Sequence, residues 1–380
     1  MHIIVLENQP TAFRGGQHLS LLDVCHGLSQ RGHKITLLYE KEGDLLNTYQ
    51  NICTKIINVN RYIFHRKIDI FSLLIDVGKV NLQLPSLEQT IVYSNQYQDS
   101  FFAAVLARSK NIPFVCHLRQ CPPKELKCQS RFGLKNAKQF ITVSNQAKAD
   151  WVESGIAAEK INVIYNAINT EKFKPATDFI LTRKEWNLSE STKVISYVGR
   201  IDREKGIETL ILAFARLHKS SDSKLLIGGK PVTHASFEDG EKYCKSLKQL
   251  TIDLGIEQNV EFLGHVANPT SVYQVSDVAV LPSLCSEPFG RTIIESMACG
   301  IPVVASKTGG ITEILTGEFD KGLFEPGNEQ DLAGTLGQIL DWREKDPTLG
   351  KRCRDRVVSK FSLNIMVDRI EKVFLKVVQQ

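Results

Sequence analysis

Two glutamates, Glu287 and Glu295, sit with seven residues between them in the stretch "SEPFGRTIIESMACGIPVVASKTGG". The apolar spacing of "RTIIESMAC" predicts a helix, closed by Gly300. Phe289 and Gly290 therefore fall at the helix mouth, with Arg291 and Thr292 opening the first turn. Backbone N–H groups and the positive end of the helix dipole point outward at such a mouth and suit a phosphate. Gly290 has no side chain to hold an anion off. Carboxylates are good acceptors for sugar hydroxyls. The stretch thus reads as two hydroxyl-binding acids bracketing an anion-binding helix start. Taken alone, the same spacing also fits a helix-dipole partner followed by a solvated helix acid.

Other constellations point the same way. In "YVGRIDREKGIETLILAF" a strand ends at Gly199, and Arg200 and Lys205 follow before a helix. Two cations at a strand's carboxyl end suit a diphosphate, one as a planar fork and one as a point charge. In "RGGQHLSLL", Gly15 and Gly16 follow the first strand and open a helix, allowing close backbone approach to a ligand. This is not the GxGxxG fingerprint, so no nicotinamide cofactor is inferred. In "PFVCHLRQ", His117 stands at the end of a strand.

The elements that position these residues alternate between strand and helix. "HIIVLE", "KITLLYE", "TIVYSN", "PFVCHL" and "QFITVS" read as buried strands of a first half. Leu21, Val24, Cys25 and Leu28 recur at helical spacing between the first two and stop near Gly32. The pattern restarts after "NVIYNAINTEKFKP", read as a linker with turns, and continues with "VISYVGR", "KLLIGG", "VEFLGHV", "VAVLPS" and "PVVAS". Such alternation implies an α/β architecture of two doubly wound parallel sheets. The expected division is residues 1–168, residues 169–360, and a last helix over 361–380 that crosses back onto the first domain. Ligands of open parallel sheets sit beyond the strands' carboxyl ends, so a cleft between the domains is the expected site.

The Glu287–Glu295 stretch resembles the E-x7-E region of retaining GT-B glycosyltransferases of family 4 type, the glycosyl transferases group 1. The resemblance covers nearly the whole chain and is strong in its second half. It implies that Glu287 contacts the donor sugar and that Glu295 holds the nucleotide ribose. It implies that Arg200 and Lys205 act on the leaving diphosphate. His117 would lie against the donor sugar, and Gly15 and Gly16 near the donor phosphates and the acceptor. Gly199, Gly228 and Gly229 end strands there, Gly264, His265 and Val266 would meet the base through the backbone, and Gly309 and Gly310 would turn the chain near the donor. One departure stands out: an Asp commonly follows the His in this family, and Leu118 and Arg119 stand here instead.

The implied activity is transfer of a hexose-type sugar, with retention, from a nucleotide diphosphate sugar to an acceptor hydroxyl of a glycan, lipid or small metabolite. UDP is expected over GDP. Two rivals use the same residues: a GT-B nucleotide-sugar epimerase, and a catalytically silent sugar-nucleotide-binding subunit. The intact set of His117, Arg200, Lys205, Glu287 and Glu295 argues against the silent subunit. No cofactor or metal is expected, since metal-using transferases commonly hold the ion on a D-x-D pair and the chain has none.

The totals set limits. Of 380 residues 42% are apolar and 23% charged, as in soluble globular proteins, and the length suits two cores. A net charge of +5 suits an anionic small ligand or a membrane surface but is too weak to argue for nucleic acid. No run approaches the ~20 apolar residues of a spanning helix. The first residues, "MHIIVLENQP", read as a mature start, and the nine cysteines lack any CxxC pair; the expected location is cytoplasmic with reduced thiols. Cys116, His117, Cys121 and Cys128 fit no common zinc spacing. Lys124, Lys127, Arg131, Lys135 and Lys138 step by three or four residues. If helical, they form one basic stripe, suited to an anionic acceptor or to peripheral contact with anionic lipid on the inner face of a membrane.

Overall fold

The computed structural model describes residues 1–12, 15–63, 69–84, 89–218, 222–231 and 237–379. Phe13 and Arg14 of the expected glycine loop lie outside them. The chain forms two compact units: Met1–Asn166 together with Leu363–Gln380, and Ala167–Ser362.

Unit 1 is a seven-stranded parallel sheet in the order β3-β2-β1-β4-β5-β6-β7. Its strands are β1 (His2–Glu7), β2 (Lys34–Tyr39), β3 (Lys55–Asn58), β4 (Thr90–Ser94), β5 (Phe114–Leu118), β6 (Gln139–Thr142) and β7 (Ile161–Val163). Near-continuous apolar runs such as Ile3–Leu6 are fully buried because helices cover both faces. The Gly16–Gln30 helix turns its buried Leu21, Val24, Cys25 and Leu28 to the sheet, as their spacing predicts. The final helix, Leu363–Val378, packs on it so closely that a β-carbon on Gly27 would meet Val367. Arg31 pairs there with Asp368 at 2.5 Å and Glu371 at 2.6 Å, and His33 meets Glu371 at 2.7 Å.

Unit 2 is a six-stranded parallel sheet in the order β10-β9-β8-β11-β12-β13. Its strands are β8 (Lys193–Val198), β9 (Ser223–Gly228), β10 (Val260–Gly264), β11 (Val278–Leu281), β12 (Val303–Ser306) and β13 (Leu323–Phe324). Buried Asp277 ties β8 to β11. It accepts from the Val194 N–H at 2.8 Å and from the Arg183 guanidinium at 2.5 Å. A buried carboxylate is tolerated only when paired and hydrogen-bonded, and this one is both. Both sheets reverse their winding once, between β1 and β4 and between β8 and β11. Ligands of such sheets bind at these switch points, beyond the carboxyl ends.

Two readings of the sequence need correction. The segment taken as a linker begins inside strand β7, an edge strand too short to show a pattern. The basic stripe is not one helix. The helix there runs only over Cys128–Lys135, so it carries Arg131 and Lys135. Lys124 and Lys127 precede it, and Lys138 follows, its N–H bonded to the Phe114 carbonyl at 2.9 Å. The two prolines, Pro122 and Pro123, lie in the irregular chain that precedes the helix.

Candidate active site

The switch point of unit 2 collects the cations and one of the acids. Beyond β8 the chain makes a short 3-10 turn, Arg203–Lys205, capped by the Asp202 side chain. The hydroxyl of buried Tyr197 donates to the Arg200 carbonyl at 2.5 Å and fixes the start of this loop. Beyond β11 the chain delivers Ser283 and Glu287. Lys205 Nζ and Ser283 Oγ both donate to Glu287 Oε1, the serine at 2.6 Å. Glu287 Oε2 has no partner among the described residues. Burial alone would push the Glu287 carboxyl up. The Lys205 ammonium, the Ser283 hydroxyl and the Arg200 charge outweigh it and hold the group below its ordinary range. The carboxylate is therefore ionised at neutral pH, an acceptor flanked by two cations.

The helix predicted from "RTIIESMAC" runs over Arg291–Ala298. Its N-cap is Gly290, at φ 100°, and no side chain caps it. That left-handed backbone strongly favours glycine. The loop at the end of β12 supports Glu287 from behind. Gly310 N–H donates to the Glu287 carbonyl at 2.8 Å, and Gly309, at φ 54°, packs directly on the Glu287 backbone. Glycines also line the neighbouring strand ends: Gly199 N–H bonds the Gly228 carbonyl at 2.9 Å, and Gly229 N–H bonds Gly264 at 2.7 Å. His265 is exposed beside them, and Val266 is half-buried.

Glu295 and Phe289 sit deeper than a solvated helix would place them. Glu295 is buried, with Oε1 taking the Arg291 Nε–H at 2.8 Å one turn away and Oε2 at 3.5 Å from the Tyr273 hydroxyl. Arg291 thus faces this acid, while Thr292 is half-buried. The Phe289 ring is buried against Phe361, with ring centres 5.8 Å apart, so what it offers a ligand is backbone.

The switch point of unit 1 holds a buried polar chain that sequence reasoning missed. His18 Nδ1 meets Glu7 Oε1 at 2.9 Å, and the Asn95 amide donates to Glu7 Oε2 at 3.1 Å. Arg119 donates to Asn95 at 2.5 Å and to Asn166 at 2.6 Å. The residue that departs from the family pattern is therefore an anchor joining strand ends. Gly15, at φ 112°, is the N-cap of the Gly16–Gln30 helix, two residues before Gln17 and three before His18. His117, buried at the end of β5, lies 2.6 Å from the Tyr93 hydroxyl through Nδ1. Its Nε2 is buried without a partner. Burial, and then the Arg119 charge, push its pKa well below the ordinary value, so the ring is neutral. If the Tyr93 hydroxyl donates to Nδ1, the ring proton sits on Nε2.

Among the described residues no three His, Cys, Asp or Glu side chains are grouped to hold a metal. Burial pushes the Cys116 thiol to about 12 and keeps it protonated. No described helix is long and apolar enough to cross a membrane.

Comparison with known proteins agrees across both units. The family model described as Glycosyltransferase Family 4 matches residues 14–172, and that described as Glycosyl transferases group 1 matches residues 178–356. N-acetyl-alpha-D-glucosaminyl L-malate synthase of Bacillus anthracis is 29% identical over 249 residues, 66% of this chain and 62% of that protein. An uncharacterized glycosyltransferase of Methanocaldococcus jannaschii is 26% identical over 373 residues, 93% of this chain and 92% of its own. Among solved structures, HepE of Anabaena, crystallised with UDP and glucose, superposes with a TM-score of 0.84 at 22% identity, covering 99% of this chain and 100% of its own. Sucrose-phosphate synthase of Thermosynechococcus elongatus superposes at 0.78 and 22% identity, covering 99% and 98%. Two parallel α/β units that resemble GT-B structures, and two family models that together span most of the chain, make this protein a glycosyltransferase of the GT-B, family 4 type.

Proposed function

We propose that the chain is a retaining hexosyltransferase that takes its sugar from a nucleotide diphosphate donor, UDP rather than GDP, and passes it to a hydroxyl of a glycan, lipid or small metabolite. One observation carries the reading: Arg200, Lys205 and ionised Glu287 gather at the β8–β11 switch point, beside an uncapped helix start. As the sugar–phosphate bond breaks, negative charge grows on the leaving diphosphate. Lys205, Arg200 and the helix start at Gly290 stabilise that charge from fixed positions. They supply the counter-charge without a divalent ion, so activity should survive EDTA. Glu287 Oε2 accepts a hydroxyl of the donor sugar, and Glu295 a hydroxyl of the ribose. Gly264, His265 and Val266 meet the base. His117, through Nε2–H, is a donor-sugar contact, and the helix start at Gly15 and Gly16 serves the phosphates or the acceptor. The choice of UDP draws support from HepE of Anabaena, whose solved complexes hold UDP and UDP-glucose.

A thermal-shift screen of nucleotides and nucleotide sugars tests this reading. A ligand that binds only the folded state at a hundred times its Kd stabilises by ~2.7 kcal/mol. UDP and at least one UDP-sugar should raise Tm. A shift with GDP alone would remove the UDP assignment, and no shift with any nucleotide would remove the donor site.

A further inference from the structure

The outer helices of unit 1 carry two features that the donor site does not use. The first is the Asp69–Gln83 helix. Leu73, Val77 and Val80 face the core, and the opposite arc bears Ile70, Phe71, Leu74 and Ile75, each more than half exposed, and Leu82 at 90% exposure. Single exposed apolar residues are ordinary, but five on one helical face mark a contact surface. The second is the group of cations around the Cys128–Lys135 helix. Lys124, Lys127, Arg131, Lys135 and Lys138 make no ion pair among the described residues. A groove of about 610 Å³ opens there, rimmed by Lys124, Arg131, Lys135 and Lys160, with Leu134 and Phe140 in its lining. The one acid in that lining is Glu125. The two features share a face of the sheet. The Ser100–Lys110 helix packs against both helices, and side chains of all three enter one core cluster.

We propose that this face of unit 1 docks on a bilayer rich in anionic lipid. The apolar arc of Asp69–Gln83 enters the boundary between headgroups and acyl chains, and the cations around Cys128–Lys135 hold lipid phosphates. Charge selects this occupant. The unpaired cations repel one another until an anionic surface neutralises them, and a second copy of the chain would bring the same positive charge. Phe132, 41% exposed on the cationic helix, extends the apolar contact there. The inference does not depend on which sugar or nucleotide the protein uses.

Sedimentation with vesicles tests it. Wild-type protein at low ionic strength should bind phosphatidylglycerol vesicles, bind phosphatidylcholine vesicles weakly, and lose binding as salt screens the cations. Reversing Lys127, Arg131 and Lys135 to Glu should weaken binding to anionic vesicles by roughly a hundredfold or more. Changing Phe71, Leu74 and Ile75 to Ser should weaken it by roughly tenfold or more. Circular dichroism and Tm establish that each variant is folded. The proposal is overturned if wild type ignores phosphatidylglycerol vesicles at low salt, or if folded charge-reversed protein binds them unchanged. It is equally overturned if light scattering finds a dimer that the serine substitutions dissolve.

Discussion

Replacing Lys205 by methionine removes an ammonium from Glu287 while keeping most of the side chain's volume. Both partners are mostly buried, at 15% and 13% exposure. Removing one member of a buried pair typically costs 3–5 kcal/mol, because the other charge is left in a poor solvent. Here Ser283 and Arg200 still support the carboxylate, so the lower end, about 3 kcal/mol, is expected. The pH dependence should also change. In the wild type the folded Glu287 lies below its unfolded value of 4.5. Its stabilisation is full above that value and is lost as pH falls through the lowered one. Without Lys205, burial is opposed only by Ser283 and Arg200 and the carboxyl rises, so the variant should lose less of its stability on acidification than the wild type. Loss of one group that stabilises the leaving charge should lower the transfer rate by about a hundredfold, ~3 kcal/mol. The assay is a cycle of wild type, Lys205→Met, Glu287→Gln and both together. Each is unfolded in urea at pH 7 and pH 5 and tested for transfer. The double variant should lose less stability than the sum of the singles, by at least about 1 kcal/mol. Additive losses with a transfer rate within about threefold of wild type in Lys205→Met would refute the reasoning.

Three further outcomes follow from the site. Glu295→Gln should weaken free UDP and UDP-sugar together, by roughly 1.5–3 kcal/mol in titration calorimetry, because charged hydrogen bonds to the ribose are lost; unchanged affinity in folded protein would take Glu295 out of the donor site. Gly309→Ala places a β-carbon against the Glu287 backbone, at a left-handed φ of 54°, and should cost on the order of 1–3 kcal/mol of stability; its transfer rate should fall more than its UDP affinity, and wild-type kinetics would show that Glu287 is not positioned from this side. His117 is held neutral while the unfolded chain takes up a proton near its ordinary value of 6.5, so its contribution to stability falls as pH drops below 6.5, approaching ~1.4 kcal/mol per pH unit; His117→Gln should lose less Tm than wild type between pH 7 and pH 5, and parallel curves would contradict the buried neutral ring.

Fold class was legible because long apolar strands alternate with amphipathic helices. Strands β3, β7 and β13 escaped because they are edge strands of two to four residues, only partly buried, and so lack the continuous apolar run that marked the central strands. In the site, Arg200, Lys205, Glu287 and the Gly290 helix start were legible because each motif is local in sequence. Their supports were not. Ser283 and Tyr197 are ordinary strand-end residues until the fold turns them toward Glu287 and Arg200. The chain His18–Glu7–Asn95–Arg119–Asn166 draws its members from 160 residues of sequence, and only the winding of the sheet brings them together. Arg119, noted only as a departure, proved to be the member that joins Asn95 to Asn166. The basic stripe failed for the opposite reason: regular spacing continued past the point where the helix stops at Lys135.

Calorimetric titration of UDP in EDTA, run on wild type and on folded Lys205→Met, tests most directly whether the cations of unit 2 hold the donor diphosphate. Saturable binding of UDP by the wild type without metal, weakened by roughly tenfold or more in the variant, is the predicted result. No binding until Mg²⁺ or Mn²⁺ is added, or equal affinity in both proteins, would contradict it.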